Sequence, residues 1–317
     1  MLREALESLI CQETDGKLSY EIVVIDDGST DGTSGVVKEV ATPSQVPVRY
    51  VHKEGRGIAD ARNRGIAEAR GKWIAFFDDD QLAERDWLKN LLCIALQTRA
   101  DCVGGTILLD LPQEQLARLG SVCRSMLGEQ TYYETPTRCR GKIVPPTGNL
   151  LMARGVFDSI GLFDTSMLYG GEDIDVVARA QAAGFDTWIG PDAVVHHVIP
   201  PYRLERAYFR WVSLRWGNQF ALMDCKHLGR GQMLLLCIAR IGQAMLVNVP
   251  CLLIACLKRD ETEALDRKCL LWRAVGYTRK TLFLLAPRLF PQGRFFGRVE
   301  FRKERETFSK ETSGPEK

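Results

Sequence analysis

The sequence predicts an α/β fold, a mostly parallel sheet flanked by helices, with a helical, amphipathic appendage at its carboxyl end. Three observations carry that expectation. Short apolar runs alternate with helical periodicity from residue 21 to about residue 110, the pattern of successive βαβ units. Two of these runs close on stacked acids, Ile22-Val23-Val24-Ile25-Asp26-Asp27 and Trp73-Ile74-Ala75-Phe76-Phe77-Asp78-Asp79-Asp80. Beyond residue 225 the pattern changes to an apolar stretch, Met233 to Leu257, set between clusters of Lys and Arg.

Taken in order, Leu2, Leu6, Leu9 and Ile10 recur at helical spacing, so the chain is expected to open in a helix rather than a secretory leader, which places it on the cytosolic side. Strands follow at 21–26, 48–51, 72–77 and 102–109, separated by helices at 33–41, 58–69 and 86–97. Ligands on such sheets bind beyond the carboxyl ends of the strands, where both acid clusters fall. The segment from Leu111 to Pro146 is polar and holds Pro112, Pro136, Pro145 and Pro146, so it reads as an excursion able to shape an acceptor pocket. A strand at Asn149 to Ala153, a helical turn ending at Gly161 and a helix running to Ala183 come next. Gly184 closes that helix, and strands at Phe185 to Ile189 and Ala193 to Val198 complete the domain. The polar tail from Glu304 to Lys317 is expected to be disordered.

Composition narrows the function. At 317 residues, 45% hydrophobic and 26% charged, the chain can bury a full core. A net charge of +2 without a basic, aromatic-laced motif gives no reason to expect a nucleic-acid partner. Ten cysteines without a Cys-x-x-Cys pair, most within apolar runs, read as reduced core residues. The expected organisation is a domain over 1–225, with a donor half at 1–110 and an acceptor half at 111–225, a helical membrane-surface appendage at 226–303 and the tail at 304–317. Met233 to Leu257 is long enough to cross a bilayer, yet Arg240, Gln243, Asn248 and Pro250 interrupt it. An interfacial amphipathic element, a span and a buried core helix all remain open from the sequence.

Acids at the end of a buried strand need a cation or a shifted pKa, and three in a row suggest a divalent metal. A third cluster, Gly170-Gly171-Glu172-Asp173-Ile174-Asp175, extends the same chemistry. With it the chain resembles family 2 glycosyltransferases. The resemblance rests on Tyr20 to Thr33 (YEIVVIDDGSTDGT), Gly57 to Ile66 (GIADARNRGI), Gly71 to Asp80 (GKWIAFFDDD) and Gly170 to Asp175, in that order, and covers residues 2 to roughly 220.

The resemblance implies a nucleotide-diphospho-sugar transferase fold of the GT-A type and a metal-dependent transfer, with inversion, from a UDP- or dTDP-sugar to a hydroxyl of a glycan or lipid-linked acceptor. It implies Asp27 at the nucleotide base, Gly57 and Asp78 at the donor, Asp80 as ligand of a Mg or Mn ion with Asp78 and His197 beside it, and Asp173 as catalytic base. Glu172, Gly171 and Asn149 are the implied acceptor contacts. The setting it suggests is cell-surface polysaccharide synthesis, peripheral on the inner face of the membrane.

Three departures stand out. Gln81 and Arg85 replace residues often seen as Asp and Pro after the metal motif. Arg215-Trp216 lacks the upstream Gln of a processive Gln-x-x-Arg-Trp motif, which disfavours chain polymerisation. The first strand of the family pattern is absent, so Met1 is expected to be an internal or mis-assigned start, with the edges of two buried strands left unpaired.

Blander readings stand beside these. Asp26 to Ser29 fits an Asx turn, and Glu172 and Asp175 fit first-turn helix acids. His197 fits a satisfied structural histidine, and Asn149 fits packing at a strand start. A dehydrogenase is disfavoured because no Gly-x-Gly-x-x-Gly follows a strand. A sugar nucleotidyltransferase and a catalytically inactive sugar-nucleotide-binding remnant are the alternatives in other classes.

Overall fold

A computed structural model describes residues 1–131, 133–139, 144–167 and 170–291. In chain order the elements are α1 (Leu2–Ile10), β1 (Ile22–Asp26), α2 (Thr33–Ala41), β2 (Val48–His52), α3 (Ile58–Glu68), β3 (Trp73–Phe77), β4 (Gln81–Ala83), α4 (Trp87–Thr98) and β5 (Cys102–Asp110). Then come α5 (Gln113–Leu116), α6 (Ser121–Met126), β6 (Thr137–Arg138), β7 (Asn149–Ala153), α7 (Arg154–Ile160), α8 (Glu172–Ala182) and β8 (Thr187–Val198). After a 3-10 turn (Pro201–Leu204) the chain is helical: α9 (Arg206–Gln243), a π turn (Ala244–Asn248), α10 (Val249–Lys258) and α11 (Glu261–Leu285). The elements divide into two units, one of Met1–Asp110 with Glu129–Val198, the other of Leu111–Gly128 with Ile199 onward.

In the first unit β1 and β2 pair in parallel, while the larger sheet runs β3-β7-β5-β8-β4, with β6 also on β8. The sheet is mixed rather than mostly parallel. β7 enters antiparallel between β3 and β5, whereas β5 and β8 pair in parallel. Hydrophobic runs locate strands but carry no record of their neighbours, so the βαβ pattern could not reveal that insertion. Among the described residues β1 and β3 each pair with a strand on one side only.

Side chains alternate across β3. Ile74 and Phe76 pack with Leu150 and Met152 of β7 and with Val176, Val177 and Ala180 of α8, while Trp73, Ala75 and Phe77 face the opposite cluster built on Trp87, Leu91 and Ile94 of α4. Leu6 of α1 packs with Ile22, Val37 and Val40 over the smaller sheet. α3 touches both sheets, with Gly65 against Ile25 and Ile66 in the cluster of Ile74 and Phe76.

The two strands expected at 185–198 are one strand, β8, whose register against β5 shifts between Gly104 and Thr106, leaving residues 190–193 as a bulge. Gly190-Pro191 has the composition of a strand break, but a bulge absorbs both residues without ending the ladder. The polar excursion after Leu111 carries α5, α6 and β6, and the tail at 304–317 lies outside the described residues.

The second unit is helical. α9 bends at Gly229, where φ is 83° and ψ 168°, and α11 packs against α9, the π turn and α10. Tyr277 of α11, fully buried, donates to Asp224 at 2.7 Å. Asp266 of α11, also buried, accepts from the backbone N–H of Val122 and Cys123 at 2.9 Å each, and so caps α6.

Candidate active site

Every residue that the sequence put forward as functional lies in the first unit. At the end of β1 the two adjacent acids part company, because successive side chains of a strand point to opposite faces. Asp26 is buried and accepts from Ser29 N–H at 2.8 Å, from the Tyr50 hydroxyl and, at 3.3 Å, lies against His52 Nδ1. Burial alone would raise its pKa; the hydrogen bonds outweigh it and bring the value down to about 2. Asp26 therefore holds the turn that leaves β1, by a bond to the backbone three residues on rather than the two of an Asx turn.

Asp27 turns the other way. Its Oδ2 accepts from Gly57 N–H at 2.8 Å, and its Oδ1 from Arg56 N–H at 3.1 Å and from the Lys53 ammonium. These partners overcome desolvation and hold the carboxyl below the usual range. Lys53 also binds Asp60 at 2.6 Å, fixing the loop that carries Gly57 into α3.

At the end of β3 the Asp78 carboxylate meets Arg62 of α3 at 3.5 Å. Desolvation raises its pKa, Arg62 and His197 oppose that, and Asp80 and Asp79 reinforce it, with a net upward shift. Gln81, one of the departures from the family pattern, is buried; its backbone N–H bonds Asp78 O and its Oε1 accepts from Asp78 N–H at 3.4 Å, so it shapes the acidic turn from inside. A Cβ on Gly148 would lie 2.7 Å from Asp78 Oδ2 and 2.8 Å from Gln81 Nε2, so this approach requires glycine.

His197 reaches Asp80. Antiparallel pairing sets Gln81 opposite His197, and Nε2 of His197 lies 3.3 Å from Asp80 Oδ2. His196, on the other face, bonds Glu84 at 3.1 Å.

The third cluster starts α8. Gly171, at φ +91°, is the residue before the helix, a conformation that disfavours any side chain. Glu172 is buried; its Oε1 accepts from Arg62 Nη1 at 2.5 Å, and its Oε2 is buried without a hydrogen-bond partner among the described residues. Asp173 is half-buried and its Oδ1 accepts from Ile174 N–H at 2.8 Å. Asp175 binds Arg179, whose guanidinium donates to the carbonyls of Ile160 and Leu162, so this acid secures the preceding loop.

Arg62 thus joins Asp78 to Glu172 across two motifs. The sequence offered its presence in the Gly57–Ile66 run but no sign of its partners. Asn149, expected among the acceptor contacts, is fully buried, with Oδ1 accepting from Trp87 Nε1 at 2.8 Å and Nδ2 donating to Thr106 O and Ala193 O at 2.9 Å each. It ties β7 to α4, β5 and β8, which is the packing alternative.

The donor set around Asp78 and Asp80 suits a hard divalent cation, being carboxylate oxygen with one imidazole nitrogen. The raised pKa of Asp78 beside two further acids is what a positive charge there would relieve. Among the described residues no three His, Cys, Asp or Glu side chains converge to hold a metal by themselves.

The α/β architecture is that of the GT-A glycosyltransferases. Among solved structures, the mannosyltransferase PcManGT of Pyrobaculum calidifontis, in complex with GDP-Man and Mn2+, superposes with a TM-score of 0.58 at 19% identity, over 87% of this chain and 82% of that one. GalNAc-T7 with UDP, GalNAc and Mn2+ gives 0.50 at 17% identity, over 71% and 49%. The sequence model of Glycosyl transferase family 2 matches residues 1–160, and the chain belongs to that family.

Curated relatives include glycosyltransferase AglE of Haloferax volcanii, 26% identical over 202 residues, 63% of this chain and 64% of that one. Succinoglycan biosynthesis protein ExoM of Rhizobium meliloti is 28% identical over 218 residues, 68% and 67%, and ExoO of the same organism 37% identical over 210, 61% and 56%. The matched segments span between 56% and 67% of these relatives' lengths.

Proposed function

We propose that the chain moves a sugar from a nucleotide-diphosphate donor to a hydroxyl of a glycan or lipid-linked acceptor, with inversion at the anomeric carbon, in the assembly of a cell-surface polysaccharide. The observation that carries this reading is the Asp78–Arg62–Glu172 chain, which links the acidic strand end to the start of α8. The names of the succinoglycan proteins support the polysaccharide setting, and the GDP-Man, UDP and Mn2+ in the neighbouring structures support a metal-dependent nucleotide donor.

Asp27, with Gly57 fixed against it, faces the nucleotide base. Asp78 and Asp80, with His197, would hold a Mg or Mn ion, which would supply Lewis-acid stabilisation of the leaving diphosphate. Asp173 removes the proton as the acceptor oxygen bonds to the anomeric carbon, while the carbon–oxygen bond to the diphosphate breaks and its electron pair leaves with the diphosphate. One displacement, with the acceptor oxygen entering on the face opposite the diphosphate, gives inversion. Glu172 and Gly171 form the floor beside the acceptor, with the Glu172 carboxylate held in place by Arg62. The reaction is placed on the cytoplasmic side, at the inner face of the membrane.

The test is release of nucleoside diphosphate from a panel of UDP-, dTDP- and GDP-sugars with Mn or Mg, beside Asp80→Ala. Turnover of one donor that is lost on chelation and in Asp80→Ala is expected. Binding of a donor with no turnover in the presence of metal and candidate acceptors would instead mark a sugar-nucleotide-binding remnant.

A further inference from the structure

The second unit exposes an apolar surface along the carboxyl half of α9, the π turn and α10. Leu235, Ile238, Met245, Leu246, Leu253 and Leu257 all face solvent, with Leu246 80% and Leu257 85% exposed. The helical stretch to Lys258 is apolar enough to cross a membrane, with only 17% of its most hydrophobic window buried. Contiguous exposed apolar surface of this kind marks an interaction face.

Charge is kept off that surface. Arg240 is the one charged residue between Gly231 and Leu257, and it turns inward, over the Tyr277 ring at 4.6 Å and 3.9 Å from Asp224. Met233, Cys237, Ala244, Asn248 and Ala255 take up the side toward the interior, and Asn248 is satisfied by Arg267 at 3.2 Å. Exposed basic residues sit at both ends of the stretch, Lys226 and Arg230 at one and Lys258 and Arg259 at the other. The amino end is net cationic, while exposed Asp260 and Glu261 follow Lys258 and Arg259 at the other; an apolar face flanked by basic side chains matches the acyl boundary and anionic headgroups of a phospholipid leaflet.

A transmembrane path is disfavoured by α11. It packs along the same helical stretch and carries Arg267, Lys268, Arg273, Arg279 and Lys280, which a spanning arrangement would draw into hydrocarbon at high cost.

We propose that residues 231–257 form an in-plane anchor whose exposed face is seated in an anionic phospholipid leaflet, with α11 on its back. This rests on the membrane-surface setting proposed above but on no feature of the donor site, so it stands or falls without turnover being measured.

The full chain, without donor, is mixed with preformed phosphatidylcholine vesicles with or without phosphatidylglycerol and subjected to flotation. The expected result is flotation with the anionic vesicles, weakened by salt, and about tenfold less binding for the triple variant Leu235→Glu, Leu246→Glu, Leu257→Glu at an unchanged melting temperature. Trypsin added outside should cut the bound protein next to both Arg230 and Lys258. Equal flotation of the triple variant, or protection of one end as in a span, overturns the proposal. So does a parent that ignores vesicles and is a dimer that the triple variant converts to monomer, because the face then belongs to a second copy.

Discussion

Arg62 and Glu172, 110 residues apart in the chain, meet in a 2.5 Å ion pair from which water is largely excluded. The same guanidinium lies 3.5 Å from Asp78, so one side chain sets the spacing between the acid-tipped strand β3 and the first turn of α8. Arg62→Met leaves Glu172 buried without its counter-charge and is expected to cost about 3 to 5 kcal/mol. Adding Glu172→Gln should recover much of that stability but not the activity. Urea unfolding of the two variants, read beside donor turnover, checks both halves.

Asn149 lends itself to an equally sharp test. Asn149→Ala orphans the Trp87 indole N–H and two strand carbonyls in a dry core, and a loss of about 2 to 4 kcal/mol is expected. The acceptor KM should stay unchanged in whatever fraction remains folded. A raised acceptor KM at full stability would instead favour the acceptor role.

Gly148→Ala places a methyl group against Asp78 Oδ2 and Gln81 Nε2. The fold should survive, since Gln81 can yield, but displacing a carboxylate proposed to hold the donor by a fraction of an ångström should lower kcat/KM for the donor by about 10- to 100-fold. Steady-state kinetics at varied metal concentration are the measurement.

Asp26 gives a pH dependence with a definite sign. Its folded pKa lies near 2, below its unfolded value of 3.8, so the stabilisation is complete above the unfolded value and is lost as pH falls toward about 2. A depression of this size corresponds to about 2 kcal/mol. Asp26→Asn should flatten the fall in urea midpoint through this range, and Tyr50→Phe, which removes one of the donors, should shrink it.

The extent to which these features are legible in the sequence follows from their physics. Strand ends at Asp26 and Phe77 and the start of α8 at Glu172 are marked locally, by apolar runs stopping at acids or by Gly-Gly ahead of a helix. Contacts between distant segments are not. Nothing near Asn149 announces that Thr106, Ala193 and Trp87 converge on it, and nothing in the Gly57–Ile66 run announces Glu172 as the partner of Arg62. Pro191 suggests a break in a strand that in fact continues because the register against β5 can slip. The uncharged face of residues 231–257 depends on Arg240 turning toward Asp224 and Tyr277, a contact that the local sequence does not mark.

The proposed reaction turns on Asp173, at the start of α8, as the base of an inverting transfer from a donor held at the ends of β1 and β3. Asp173→Asn keeps the shape and removes the basicity, so donor affinity measured by calorimetry should match the parent while kcat falls by about 10² to 10⁴. Turnover at the parental rate in Asp173→Asn, with donor affinity intact, would contradict the assignment and move the base elsewhere.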